Sequence, residues 1–182
     1  MPLEKIRRLQ RTYTPGRHVR FRDTEAVHAK ALVGASGTLL QVVPLPDMQQ
    51  PIGQRDPVPL DAYGVSVEFL RRDGRYDIAL CSMDDVELAP FDAASLEREL
   101  CGRVVDFPRS SGIGLVFPEG AADEGRIVDV QVSIEADLDD AHVTLSLAVP
   151  VDPAKHPRGI NLWFVHGVDF VQCTLRPKRS PV

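Results

Sequence analysis

No apolar run in this chain approaches the roughly 18 residues that a membrane span requires, and the opening MPLEKIRRLQR lacks the apolar stretch of a signal peptide. We therefore expect a cytoplasmic protein without a membrane span. Cysteine is scarce as well: Cys81, Cys101 and Cys173 are far apart and odd in number, which argues against a disulfide framework and suits a reducing compartment. There is no C-x-x-C, and His18, His28, His142, His156 and His166 never pair at metal-ligand spacing, so the sequence offers zinc no support. Gly34-Ala35-Ser36-Gly37 lacks the G-x-S-x-G spacing of a nucleophile elbow and does not stand between a strand and a helix, so it reads as a turn. Asp84, Asp85, Asp137, Asp139 and Asp140 fall in turn-like stretches, where aspartate hydrogen-bonds its own backbone, and read as solvated turns. Cys101 follows a predicted helix, away from the N-terminal dipole that would activate a thiolate, and reads as a packing residue. With no catalytic constellation, the expectation is a protein that is not an enzyme and holds no metal or cofactor.

What the chain does have is enough apolar content, 43% of 182 residues, for one substantial core or two small ones. The formal charge of -5 hides an asymmetry. Lys5, Arg7, Arg8, Arg11, Arg17, Arg20 and Arg22 crowd the beginning, with only Glu4 against them before Asp23, while the body is acidic. Such an arm suits phosphate through guanidinium forks, or is simply a solvated terminus. The acidic remainder disfavours non-specific nucleic-acid coating, and no specific nucleic-acid binding is expected.

In chain order, Pro2 to Tyr13 has apolar residues at helical spacing, ended by Thr14-Pro15-Gly16. Val19 and Phe21 then alternate with arginines, and Val27, Ala29, Ala31 and Val33 alternate with His28, Lys30 and Leu32, which predicts strands throughout. Pro44 to Pro59 predicts a long loop. Val65, Val67 and Phe69, then Tyr76, Ile78 and Leu80, flank Arg72-Asp73-Gly74-Arg75, which predicts a hairpin with a type I′ turn. Asp92 is the N-cap of a helix in which Ala93, Leu96 and Leu100 share a face before Gly102. Later, Val128, Val130, Val132 and Ile134 predict one strand face, set against Val143, Leu145, Leu147 and Val149.

The predicted fold is mainly β: two small antiparallel β-barrel-like modules joined by one short helix. The expected segments are a basic arm (1–16), an N-terminal β module (17–91), the connecting helix (92–102), a second β-barrel (103–175) and a tail (176–182).

The stretch Arg103 to Pro118 stands out for its Ser110-Ser111-Gly112 and Gly114 between two apolar runs, since glycine lets backbone approach a bound group. Ser111-Gly112-Ile113-Gly114-Leu115-Val116-Phe117-Pro118, with Gly125, the hairpin Ile127 to Val149 and Gly159-Ile160-Asn161-Leu162-Trp163-Phe164, resembles a PilZ domain over Val104 to Cys173. Arg17 to Pro90 is more faintly similar to the β domain that precedes PilZ in flagellar-brake proteins. That bacterial signalling family binds cyclic di-GMP with an R-x-x-x-R arm and a D/N-x-S-x-x-G turn. The resemblance thus implies a non-enzymatic regulator or adaptor that responds to cyclic di-GMP and acts through protein partners. Its implied nucleotide-binding residues are Arg7, Arg8 and Arg11 of the arm and Arg109, Ser111 and Gly114 of the turn. The pattern is incomplete: Arg109 stands where the family has Asp or Asn and cannot accept a hydrogen bond, and Arg7 to Arg11 lies far ahead of the turn. The alternative is a β-domain interaction or structural module with no nucleotide ligand.

Overall fold

The computed structural model describes residues 8, 9, 11–44, 63–107, 119–135, 140–156, 161–170 and 173–178. The chain divides into two compact units, Met1–Phe91 with Pro177–Val182, and Asp92–Arg176. No helix among the described residues is long and apolar enough to cross a membrane.

The first unit is an antiparallel sheet of β1 (His18–Phe21), β2 (Ser36–Pro44), β3 (Tyr63–Leu70), β4 (Tyr76–Ser82) and β5 (Val86–Leu88), in the order β4-β3-β2-β1-β5. Period two turns Val19, Phe21, Leu39, Val65, Val67, Ala79, Cys81 and Val86 to one buried cluster. Phe21 and Phe69 meet there edge to face, with ring centroids 5.9 Å apart.

Three local expectations change here. Glu25–Ala29 is a short helix, α1, and not a strand. The Thr24 side chain accepts from the Val27 N–H at 3.3 Å and its hydroxyl donates to Asp85 Oδ1 at 2.7 Å. The apolar alternation around Val27 is thus outweighed by a cap that a distant carboxylate holds in place. Asp85 also accepts from the Ser82 N–H at 3.0 Å, so the three-residue 3₁₀ turn Met83–Asp85 has a reciprocal cap and its Asp85 is buried, not solvated. The β3–β4 turn is not type I′, because Gly74 alone has positive φ, at 79°, where that turn needs two such residues. Gly74 N–H donates to Arg71 O and Arg71 N–H to Arg75 O, which is a three-residue loop closed by a left-handed glycine.

The second unit opens with α2 (Ala93–Leu100), whose N-cap Asp92 accepts from the Ala94 N–H at 3.1 Å. Its sheet contains β6 (Val104–Asp106), β7 (Glu124–Glu135), β8 (Asp140–Pro150), β9 (Leu162–Asp169) and β10 (Thr174–Leu175), ordered β10-β6-β7-β8-β9. Leu96 and Leu100 of α2 are buried, and the Gly102 N–H donates to Ile127 O at 2.9 Å, fastening the end of α2 to β7. The register places Val130 opposite Leu145 and Val132 opposite Val143, but a bulge between Ile127 and Asp129 puts Ile127 against Leu147. Ile127 is 1% exposed and Val128 45%, so strict alternation assigns the wrong one of the two to the core.

Among the described residues neither sheet closes. Each described sheet has two terminal strands, and although β4 and β5 are consecutive in the chain, they occupy opposite ends of their sheet with no ladder between them. The expectation of two β-barrel-like modules is therefore corrected to two open five-stranded antiparallel sheets. The resemblance to PilZ and to the flagellar-brake β domain, both closed barrels, falls with it. Alternation reports which face of a strand is apolar; closure depends on tilt, stagger and the pairing of the terminal strands, on which alternation is silent.

Candidate functional site

The basic arm divides. Arg8 is helical and exposed, whereas Arg11 is half-buried, with its Nε enclosed and without a hydrogen-bond partner among the described residues. Arg17 turns inward: it donates to Thr12 O at 2.9 Å and Ala89 O at 2.7 Å and lies 5.5 Å from the Phe91 ring centroid. Burial pulls its guanidinium below the usual range. Arg7, Arg109, Ser111 and Gly114 lie outside the described residues.

Arg20 on β1 and Arg22 just after it, by contrast, alternate with the buried Val19 and Phe21 and stand exposed. They line a cleft of about 430 Å³ with Asp23, Val33, Gly34 and Glu87. A larger cleft, about 790 Å³, lies between Lys30–Ala35 and the β3–β4 hairpin and is walled by Phe69, Leu70, Arg71, Arg72, Asp73 and Asp77. Val33 and Gly34 line both. Backbone geometry shapes this shared wall: Ala31 has φ 55°, a left-handed conformation that a β-carbon disfavours, and Gly34 has φ 73°. The Phe21 N–H donates to Ala35 O and the Gly34 N–H to Phe21 O, tying the wall to β1.

Most charges in the clefts are matched internally. Arg71 lies 3.7 Å from Asp73 and 3.4 Å from Asp77, Lys30 donates to Leu80 O at 2.7 Å, and Asp23 pairs with His28 at 2.5 Å. The side chains of Arg20, Arg22 and Arg72 have no hydrogen bond or ion pair among the described residues, and neither does Glu87. Over the two clefts Arg20, Arg22, Lys30, Arg71 and Arg72 stand against Asp23, Asp73, Asp77 and Glu87, and the guanidinium donors of Arg20, Arg22 and Arg72, unused among the described residues, favour an anionic occupant.

The second unit offers a different surface. β9 is a terminal strand of its sheet, and Leu162, Trp163 and Phe164 on it are 42%, 43% and 56% exposed. Their partners on β8, Pro150, Val149 and Ala148, hold one edge of β9, and no described strand pairs with the other. A register shift between Leu145 and Leu147 interrupts that ladder; there the buried Ser146 hydroxyl meets His166 Nδ1 at 2.9 Å and Gly167 takes φ 73°.

Arg20 and Arg22 counted in the sequence only as part of a basic arm, and Leu162 to Phe164 only as part of the segment Gly159 to Phe164 that carried the resemblance. Period two already puts both arginines on one outward face, which was a usable signal. The exposure of three consecutive large apolar residues had none, since it depends on β9 being terminal.

Comparison with family models, with curated proteins and with solved structures finds no match for this chain. No PilZ model supports the resemblance drawn from the motif, and the open sheets contradict the barrel on which it rests. The cyclic di-GMP-responsive regulator is accordingly withdrawn, together with cyclic di-GMP as ligand. The one described ring pair, Phe21 with Phe69, lies in the core and offers no face for stacking a base. Among the described residues no group of three or more His, Cys, Asp or Glu is placed to hold a metal ion.

Proposed function

We propose that the chain is a non-catalytic protein-interaction module whose second sheet takes up an extended, apolar segment of a partner protein along β9. The observation that carries this is the exposed Leu162-Trp163-Phe164 on a terminal strand. Terminal strands are usually protected by charge, proline or early bending; the first half of β9 has none of these, and the bend comes only at Gly167. An added strand would take its main-chain hydrogen bonds from the free edge. Its side chains would meet Leu162 and Phe164 on one face and Trp163 on the other. The straight part, Leu162 to Val165, is too short to approach the roughly 1,000 Å² of a stable interface between folded copies, which favours a flexible segment over a second copy. We also place the protein in the cytoplasm, in keeping with three free thiols of which two, Cys81 and Cys173, are buried.

Trp163 is the only tryptophan, so its emission reports on this edge alone. Peptides selected from a random extended library against the full chain should shift Trp163 emission to the blue and lose binding to Phe164→Glu. Selection that proceeds equally on Phe164→Glu would remove this assignment. An emission shift produced by raising protein concentration alone, accompanied by dimer in sedimentation, would replace the partner segment with a second copy.

A further inference from the structure

We propose that the two clefts of the first unit that share the Val33–Gly34 wall are a recognition site for an acidic segment of a partner protein. Two carboxylate side chains of that segment would be held by Arg20 and Arg22 on one side of the Val33–Gly34 wall and by Arg72 on the other. This goes beyond the β9 reading and uses none of its residues.

The charge inventory carries the inference. Each cation bound within the clefts has a visible partner, the carboxylates for Arg71 and a carbonyl for Lys30. Arg20, Arg22 and Arg72 have none among the described residues. Guanidinium groups carry five donors in a rigid fork, and a carboxylate accepts two of them at once. Arg20 is also placed: its Nη2 lies 3.6 Å from where a β-carbon on Gly34 would stand, so its charged end rests against the wall that both clefts share. Val33, 42% exposed, and Phe69 supply an apolar floor between the charges. Acidic residues spaced around an apolar one match that order of charge, apolar wall and charge.

A peptide suits the site better than a nucleic acid. The clefts present isolated guanidinium groups and no exposed aromatic platform, where single strands need a continuous basic track with stacking rings. The net charge of -5 also opposes a polyanion at long range while leaving short-range forks effective.

The test uses the full chain and a fluorescein-labelled decapeptide of alternating Glu and Val, read by anisotropy at low and physiological salt. Its twin carries Gln for Glu, and a labelled single-stranded oligonucleotide of equal charge is the third probe. The acidic peptide should bind, weaken with salt and exceed the Gln peptide by tenfold or more. Arg20→Gln with Arg22→Gln should lower its affinity about tenfold, and Arg72→Gln should do so independently. Arg98→Gln, an exposed arginine of the second unit, and Phe164→Glu should change nothing. Val33→Asp, which puts a carboxylate on the wall, should abolish binding with the fold intact by circular dichroism. Equal binding of the Gln peptide, or equal loss in Arg98→Gln, would overturn the proposal. Tighter binding of the oligonucleotide would overturn it in favour of a nucleic-acid surface. Failure of these peptides leaves the Trp163 experiment unaffected, and the converse holds too.

Discussion

The backbone N–H of Lys178 donates to the carboxylate of Glu68, across a sequence separation of 110 residues. Glu68 stands on the face of β3 opposite the apolar cluster and is 2% exposed, opposite Thr38 on β2, which is also buried. The Lys178 ammonium lies 5.6 Å from the Tyr76 ring centroid, so backbone and side chain both tie the chain's end to the first sheet. Deleting residues 177–182 removes this donor and wets a buried carboxylate's surroundings. We expect a loss of about 1 to 3 kcal/mol in urea unfolding. A truncated chain of unchanged midpoint would show that the anchoring contributes nothing.

Ala31 is the only described non-glycine residue with positive φ. Ala31→Gly relieves the β-carbon and should stabilise the chain by about 0.5 to 1 kcal/mol despite the greater freedom of the unfolded state. The midpoint of chemical unfolding is the measurement, and a lower midpoint would mean that the loop is not strained there.

The bulge in β7 reverses the order expected from alternation. Ile127→Ala empties a buried site opposite Leu147 and should cost about 2 to 5 kcal/mol. Val128→Ala, at an exposed position, should change stability by about 0.5 kcal/mol or less. Equal losses would place Val128 in the core.

Cys173 gives a pH signature. Burial, with the Asp169 charge as a lesser cause, pushes its thiol up to about 12, above the usual thiol range near 8.5. Between those values the unfolded chain has released this proton while the folded chain keeps it. The Cys173 contribution is therefore fully present below the unfolded value and is lost as pH rises toward the folded one. Stability should fall across this window with a slope on the order of 1 kcal/mol per pH unit from this group. Cys173→Ala should flatten that part of the profile. An unchanged slope in the variant would assign the alkaline loss to other groups.

Thiol labelling at neutral pH should separate the three cysteines by burial. Cys101 is exposed and reacts in the native state, slowed because residual desolvation, and then the charges of Glu97 and Asp129, raise its thiol. Cys81 and Cys173 should react only on unfolding. Labelling of Cys173 in the folded chain at the rate of Cys101 would contradict its enclosure.

Antiparallel strands, the Asp92-capped helix and the position of the β3–β4 hairpin are legible from neighbouring residues, because period, cap and turn are properties of a few consecutive side chains. The outward pair Arg20 and Arg22 is legible for the same reason. Apart from the type of the β3–β4 turn, what was misread required a residue far away: α1 exists with a cap that Asp85 supports from 61 positions off, and Ile127 is inside because of its register with Leu147. Sheet order and openness were equally out of reach, since local alternation constrains the buried face of a strand and leaves its neighbours free. The candidate sites follow from that second level. Among the described residues Arg72 is left unmatched because Asp73 and Asp77 face Arg71, and Leu162 to Phe164 are exposed where β9 ends its sheet. The sequence determined which side chains are apolar, charged and strand-forming; the tertiary structure alone decided which of them were left without a partner, because partnership is set by contacts between distant parts of the chain.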